Sequence, residues 1–177
     1  MTWIDSLIRL LVDFIPLRLV RANEQGVIEV FGRYWRTWGP GLYPHCKFVF
    51  EVDAILVTEQ GVDCPTQVLT TQDGKKVSVS VNVTYLILDA GKMHCTVHDV
   101  DTMIGLEAMR MVSRVLRRYA LPDILPRQPA LERSLERRLG TRAGGWGVEI
   151  TGVGITHFAE TRPIHLLNDQ SFKGAGG

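Results

Sequence analysis

A chain of 177 residues with 45% hydrophobic and 22% charged side chains has the make-up of one globular domain, or one domain with a small appendage, and wholesale disorder is excluded. Its net charge of +1 exerts no global attraction toward nucleic acid or an anionic membrane, so binding to either must come from local distribution. That distribution is uneven: Glu107 to Arg142 holds nine arginines against four acids, a local +5, which leaves the remainder of the chain at −4.

Met1 to Ile15 reads as an amphipathic helix stopped near Pro16. Thr2, Asp5, Ser6, Arg9 and Asp13 form a narrow polar strip at 3.6 residues per turn, and Trp3, Ile4, Leu7, Ile8, Leu10, Leu11, Phe14 and Ile15 fill a broad apolar face. The segment has no basic lead-in and no small-residue cleavage site, so it does not read as a signal peptide. It covers only about 21 Å at 1.5 Å per residue, against roughly 30 Å of hydrocarbon, and does not read as a span. Two readings stand. The helix lies in a membrane interface, with Trp3, Ile4, Leu7, Leu11 and Phe14 in contact with lipid and Arg18 and Arg21 facing anionic headgroups. Alternatively, it docks on its own domain or on a neighbouring subunit.

Extended structure follows. Gly26 to Gly32 is a short strand bounded by glycines, and Pro40-Gly41 suits the centre of a type II turn. Lys47 to Val52 and Ala54 to Thr58 read as two strands either side of Asp53. The clearest signal is Val68 to Tyr85. Val77, Val79, Val81, Val83 and Tyr85 alternate with Ser78, Ser80, Asn82 and Thr84, the signature of a half-buried strand. Asp73-Gly74 before it predicts a hairpin with a two-residue type I′ turn.

From Asp99 the period becomes helical. Met103, Ala108, Met111, Val112, Val115, Leu116 and Tyr119 approximate i, i+3, i+4 spacing, with Asp99 or Asp101 as cap and Arg110, Arg114, Arg117 and Arg118 on the outer side. Pro122 interrupts, and Leu131, Leu135 and Leu139 mark a second helix from near Pro129 to Gly144-Gly145. Trp146 through Val153 and Ile155 returns to strand, and the glycine-rich end reads as a flexible tail. The expected division is an N-terminal helix over 1–20, a folded α+β domain over 21–160 and a tail over 161–177. There is no internal repeat and no long heptad run.

These landmarks, in this order, resemble the stomatin–prohibitin superfamily (SPFH, prohibitin-homology or Band 7 domain) across about residues 15 to 160. The residues that carry the resemblance are Ile15-Pro16, Gly26-Val27, Phe31-Gly32-Arg33, Gly39 to Tyr43, Thr70 to Gly74, the alternating strand ending in Tyr85, Leu121 to Leu125 with Arg127, and Trp146 to Ile150 with Val153 and Ile155. The resemblance implies a small α+β domain, with a short-stranded antiparallel sheet in the first half and two amphipathic helices and a closing strand in the second. It also implies anchoring by the N-terminus to a membrane face, lateral oligomerisation and scaffolding of membrane proteins. Relatives usually carry an extended helix or coiled coil after the closing strand, where about twenty residues remain here, and the N-terminal segment is shorter and more charged than a typical membrane hairpin.

No catalytic constellation emerges. His94 and His98 are four apart with Cys95 between them, yet no H-E-x-x-H or recognised carboxylate spacing accompanies them, and they read as loop residues before a helix cap. His45, His157 and His165 are isolated, and the glycines flank strands rather than opening a helix on a phosphate. No enzyme, cofactor or metal is expected. Cys46, Cys64 and Cys95 are odd in number and lack C-x-x-C spacing, which fits a reducing, cytoplasm-like compartment.

The arginine-rich helices admit three readings: contact with the acidic surface of another copy, supplied by Glu51, Asp53, Glu59 and Asp63; a solvated face; or binding of nucleic acid or lipid headgroups. The expectation carried forward is a non-enzymatic, membrane-associated scaffold that self-assembles, with Arg110, Arg114, Arg117 and Arg118 at the subunit contact. Its partners are its own copies, a lipid surface and a membrane-protein client, with no nucleic acid expected. The alternatives are a soluble structural subunit of a ring or particle, and a small nucleic-acid-binding module.

Overall fold

The computed structural model describes residues 17–45 and 49–161. The predicted N-terminal helix and the tail beyond Thr161 lie outside the described residues.

The first half is built from short antiparallel strands. β1 (Leu17–Val20) pairs with β4 (Gly41–Pro44), and β2 (Glu24–Val30) is central between β3 (Arg33–Trp38) and β5 (Phe50–Leu56). Successive side chains on β2 point to opposite faces and serve different cores. Val27 enters the main core, whereas Ile28 joins Val20 and Val52 in a satellite core flanked by Val30, Trp38 and Tyr43. The expected break at Asp53 does not occur. β5 runs unbroken from Phe50 to Leu56: Asp53 pairs with Val27 yet stays exposed, so its carboxylate remains in water.

The third and largest sheet among the described residues is organised on β8 (Lys76–Ile87). β6 (Gln60–Asp63) and β7 (Gln67–Thr70) share one of its edges, and β9 (Val148–Glu160) runs along the other. Val77, Val79, Val81, Val83 and Tyr85 are buried, as the alternation predicts, while the hydroxyl and amide face stays partly open. The turn into β8 differs from the expected two-residue form. Thr70 pairs with Lys76, the Thr71 amide donates to the Lys75 carbonyl, and the Gly74 amide donates to the Thr71 carbonyl. Only Gly74 has positive φ, at 77°, so this is a three-residue loop with a glycine bulge. Asp73 spends its carboxylate on Thr71 and on the Leu121 amide instead of taking a left-handed conformation. The two-residue type I′ geometry occurs elsewhere, at Phe31-Gly32 between β2 and β3, where φ is 51° and 71°.

Helices cover the valine face. α1 (Ala90–Thr96) and α2 (Val100–Leu116) are capped by Asp89 and Asp99, whose carboxylates accept from the Lys92 and Thr102 amides. Pro122 lies in the first turn of α3 (Leu121–Ile124), and Pro126, which has no amide to donate to the Pro122 carbonyl, stops the helix after that single turn. A 3-10 turn at Leu125–Arg127 then leads into α4 (Gln128–Ala143), with Pro129 in its first turn. α2 buries Ile104, Ala108, Val112 and Leu116, and α4 buries Leu131, Leu135 and Leu139, all in the main core. α1 joins the halves: His94 Nε2 lies 2.8 Å from Glu29 Oε1, the Ala90 amide faces Gln25 Oε1 at 3.4 Å, and any Cβ on Gly91 would collide with the hydroxyls of Tyr34 and Thr37.

Two register shifts shape β9. Ile150 pairs with Tyr85 and Gly152 with Thr84, while Ile155 pairs with Val81 and His157 with Ser80, so Thr151 and Thr156 are extra residues. Each bulge flips the inward parity, from Val148 and Ile150 to Val153 and Ile155, then to Phe158.

Candidate functional site

An apolar surface opens at the start of the described chain. In the β1–β4 ribbon Leu19 stands opposite Leu42 and Leu17 opposite Pro44. The three leucines are 57–61% exposed. The other side of the ribbon is occupied, since Val20 is buried and Tyr43 stacks on Trp38 with ring centroids 4.4 Å apart. Packed on one face, the ribbon leaves its leucine face exposed. Arg18 and Arg21 flank it and are exposed. On the neighbouring three-stranded sheet, Phe31 projects from the β2–β3 turn at 76% exposure, and Trp35 is half exposed with the Arg36 guanidinium 4.3 Å over its ring. Trp3, Ile4, Leu7, Leu11 and Phe14, the expected lipid contacts, lie outside the described residues. No helix among the described residues is long and apolar enough to cross a membrane.

The four arginines expected at a subunit contact spread over the second half of α2 and the residues just after it, and they differ in state. Arg110 is engaged within the chain, its Nη1 3.0 Å from Glu107 Oε1, and Arg142 approaches the same carboxylate at 3.9 Å. Arg114 lies in the last turn of α2, Arg117 caps the helix, and Arg118 follows it; all three are exposed. The acidic residues proposed to face them divide between two places. Glu51 and Asp53 lie on β5, whereas Glu59 and Asp63 lie at β6, where they accept from Thr151 Oγ1 and Asn82 Nδ2, each at 2.6 Å.

The histidines are not the loop pair that was expected. His94 sits on α1 against Glu29, and only His98 lies outside a helix. The missed signal was Asp89, a cap followed by seven helical residues without apolar periodicity. His45 Nδ1 accepts from the Val52 amide at 3.3 Å. Among the described residues no three His, Cys, Asp or Glu side chains converge as metal ligands.

Sequence reasoning placed Tyr85 on the buried face but found no partner for its hydroxyl. Tyr85 is fully buried on β8 and donates to Asp101 in the first turn of α2. Burial first, then the Asp101 carboxylate, holds its pKa well above the ordinary phenol range, so it remains a neutral donor. Burial and the neighbouring Asp63 likewise push the Cys64 thiol up. Both groups tie β6 and β8 to α2 as packing and hydrogen-bonding residues, with the Cys64 thiol facing the Gly105 carbonyl.

Comparison with known proteins agrees with this architecture. The SPFH domain / Band 7 family model matches residues 18–161. The chain is 28% identical over 157 residues to an uncharacterized protein of Archaeoglobus fulgidus, covering 86% of this chain and 62% of that protein. A stomatin homolog of Pyrococcus horikoshii is 24% identical over 139 residues, covering 78% of this chain and 52% of the homolog. Human stomatin-like protein 1 is 22% identical over 147 residues, covering 83% and 37% respectively. The chain thus spans between about a third and three fifths of the length of these relatives. With the match running from β1 to the end of β9, the chain belongs to the SPFH domain / Band 7 family.

Proposed function

We propose that this protein is a non-enzymatic scaffold that associates peripherally with a membrane and assembles with its own copies. The observation that carries the membrane part is the bare leucine face of the β1–β4 ribbon, which directly follows the amphipathic segment 1–15. Fully burying a leucine is worth about 1.5–3 kcal/mol, so three leucines and an interfacial helix supply enough for reversible attachment. Family membership and the exposed arginines at the end of α2, which are in no ion pair among the described residues, support the assembly part. Flotation with liposomes tests the attachment. The full chain is expected to rise with the vesicles, and Leu7→Asp combined with Leu11→Asp to leave it at the bottom of the gradient. Leu19→Asp with Leu42→Asp should do the same if the ribbon contributes. Flotation of both double variants at the parent's level would remove the lipid-binding reading and favour a subunit whose N-terminal helix docks on a neighbour.

A further inference from the structure

We infer that copies of this chain join head to tail, with the exposed leucine of the α2–α4 connection of one copy seated in an acid-rimmed apolar cleft of the next. This pairing rests on the self-assembly proposed above and gives it two named surfaces.

The cleft lies between β6 and the first half of α2 and encloses about 320 Å³. Val62, Cys64 and Met109 form its apolar lining, together with Leu106, which is 48% exposed. Asp63 and Asp101 stand on its rim, and among the described residues neither is in an ion pair. The matching knob is Leu125, 60% exposed in the 3-10 turn after α3. The surrounding segment 117–127 carries Arg117, Arg118 and Arg127 against Asp123 alone. All four of those charged groups are exposed, and the Arg127 guanidinium lies 5.8 Å from the Tyr119 ring centroid.

A copy cannot fill its own cleft. The Leu121 amide is bonded to Asp73 in the turn before β8, whereas the cleft's Asp101 is bonded to Tyr85 near the strand's other end. Those two points are separated by about ten strand residues, on the order of 30 Å. Cleft and knob therefore sit at opposite ends of the helical layer and carry opposite charge. A helix dipole accounts for acids at the start of α2 and arginines at its end, but not for an exposed leucine at each end. An apolar anchor entering a pocket, ringed by complementary charge, is the usual core of a specific interface. Because the two surfaces differ, the contact is heterologous and continues as a ring or an open array.

Cysteine pairing tests this directly. In full-length protein carrying Cys46→Ser, Cys64→Ala and Cys95→Ser, which removes the native thiol from the cleft lining, Leu106→Cys and Leu125→Cys are made separately and then mixed under mild oxidation. The mixture should give a disulfide-linked heterodimer, each variant alone should stay single on a non-reducing gel, and a chain carrying both should ladder to trimers and beyond. Self-linkage of either single variant at the yield of the mixture would mean an isologous contact and overturn the pairing. Light scattering of the parent separates the remaining outcomes. An oligomer without a heterodimer refutes these two surfaces and leaves self-assembly standing, whereas a monomer refutes both.

Discussion

Phe31 holds the least comfortable backbone position among the described residues. It is the only non-glycine there with positive φ, and its side chain is 76% exposed. A left-handed conformation costs a residue with Cβ roughly 1–2 kcal/mol, and the first centre of a type I′ turn favours asparagine. Phe31→Asn creates the Asn-Gly pair and should raise stability by about 0.5–1 kcal/mol, read as a higher urea midpoint. The same variant should weaken vesicle flotation if Phe31 contacts lipid. A lowered midpoint would show that the ring is packed against protein.

Two exposed carboxylates add a modest acid sensitivity to the fold. Hydrogen bonds from Thr71 and Leu121 lower the pKa of Asp73, and those from Thr102 lower that of Asp99. A depressed folded pKa contributes stability that is complete above the unfolded value, about 3.9, and is lost as pH falls through the folded value. The melting temperature should therefore be insensitive to these groups from pH 7 to 5 and decline below about pH 4. Asp99→Asn should flatten part of that decline. An unchanged slope would remove Asp99 from the linkage.

At the level of elements, β8 was legible because one face of it is buried along its whole length, so Val77 to Tyr85 display an uninterrupted period of two. The variants Val81→Asp and Ser80→Asp test that register. The first places a charge in the main core and should abolish cooperative unfolding, while the second faces the open side and should shift the midpoint little. Equal tolerance of the two would refute the assignment. β9 was only half legible, since bulges at Thr151 and Thr156 reverse its inward parity twice, and nothing in a run of alternating side chains announces an inserted residue. α2 and its Asp99 cap followed from helical spacing, but α1 was too short to show any. The β1–β4 leucines were hidden for a related reason: exposure of an apolar face depends on what fails to cover it, which local patterning does not encode.

For the whole molecule, the decisive property is separation of surfaces. The leucine ribbon is a two-stranded sheet of its own in the first half, and the arginines of α2 and the α2–α4 connection belong to the helical layer. Exposed ion pairs contribute only about 0–1 kcal/mol each, so charges at a subunit contact set orientation while apolar contact supplies affinity. Arg114→Glu combined with Arg118→Glu should reduce the oligomer's mass on size exclusion with light scattering. Raising salt should weaken the parent only in part. Parent protein eluting at its 19.9 kDa monomer mass in all conditions would end the scaffold reading.

The satellite core has a consequence for how the molecule yields. Val20, Ile28 and Val52 hold the ribbon against the three-stranded sheet with few partners, whereas the main core runs continuously from β8 through α2 and α4. Unequal cores mean unequal opening free energies. Backbone amides of β1 and β4 are expected to exchange with solvent well ahead of those in β8, through a local event that leaves the larger core intact. The apolar ribbon would then be mounted on the softer part of the protein, able to rearrange against an uneven surface while the helical layer keeps its shape.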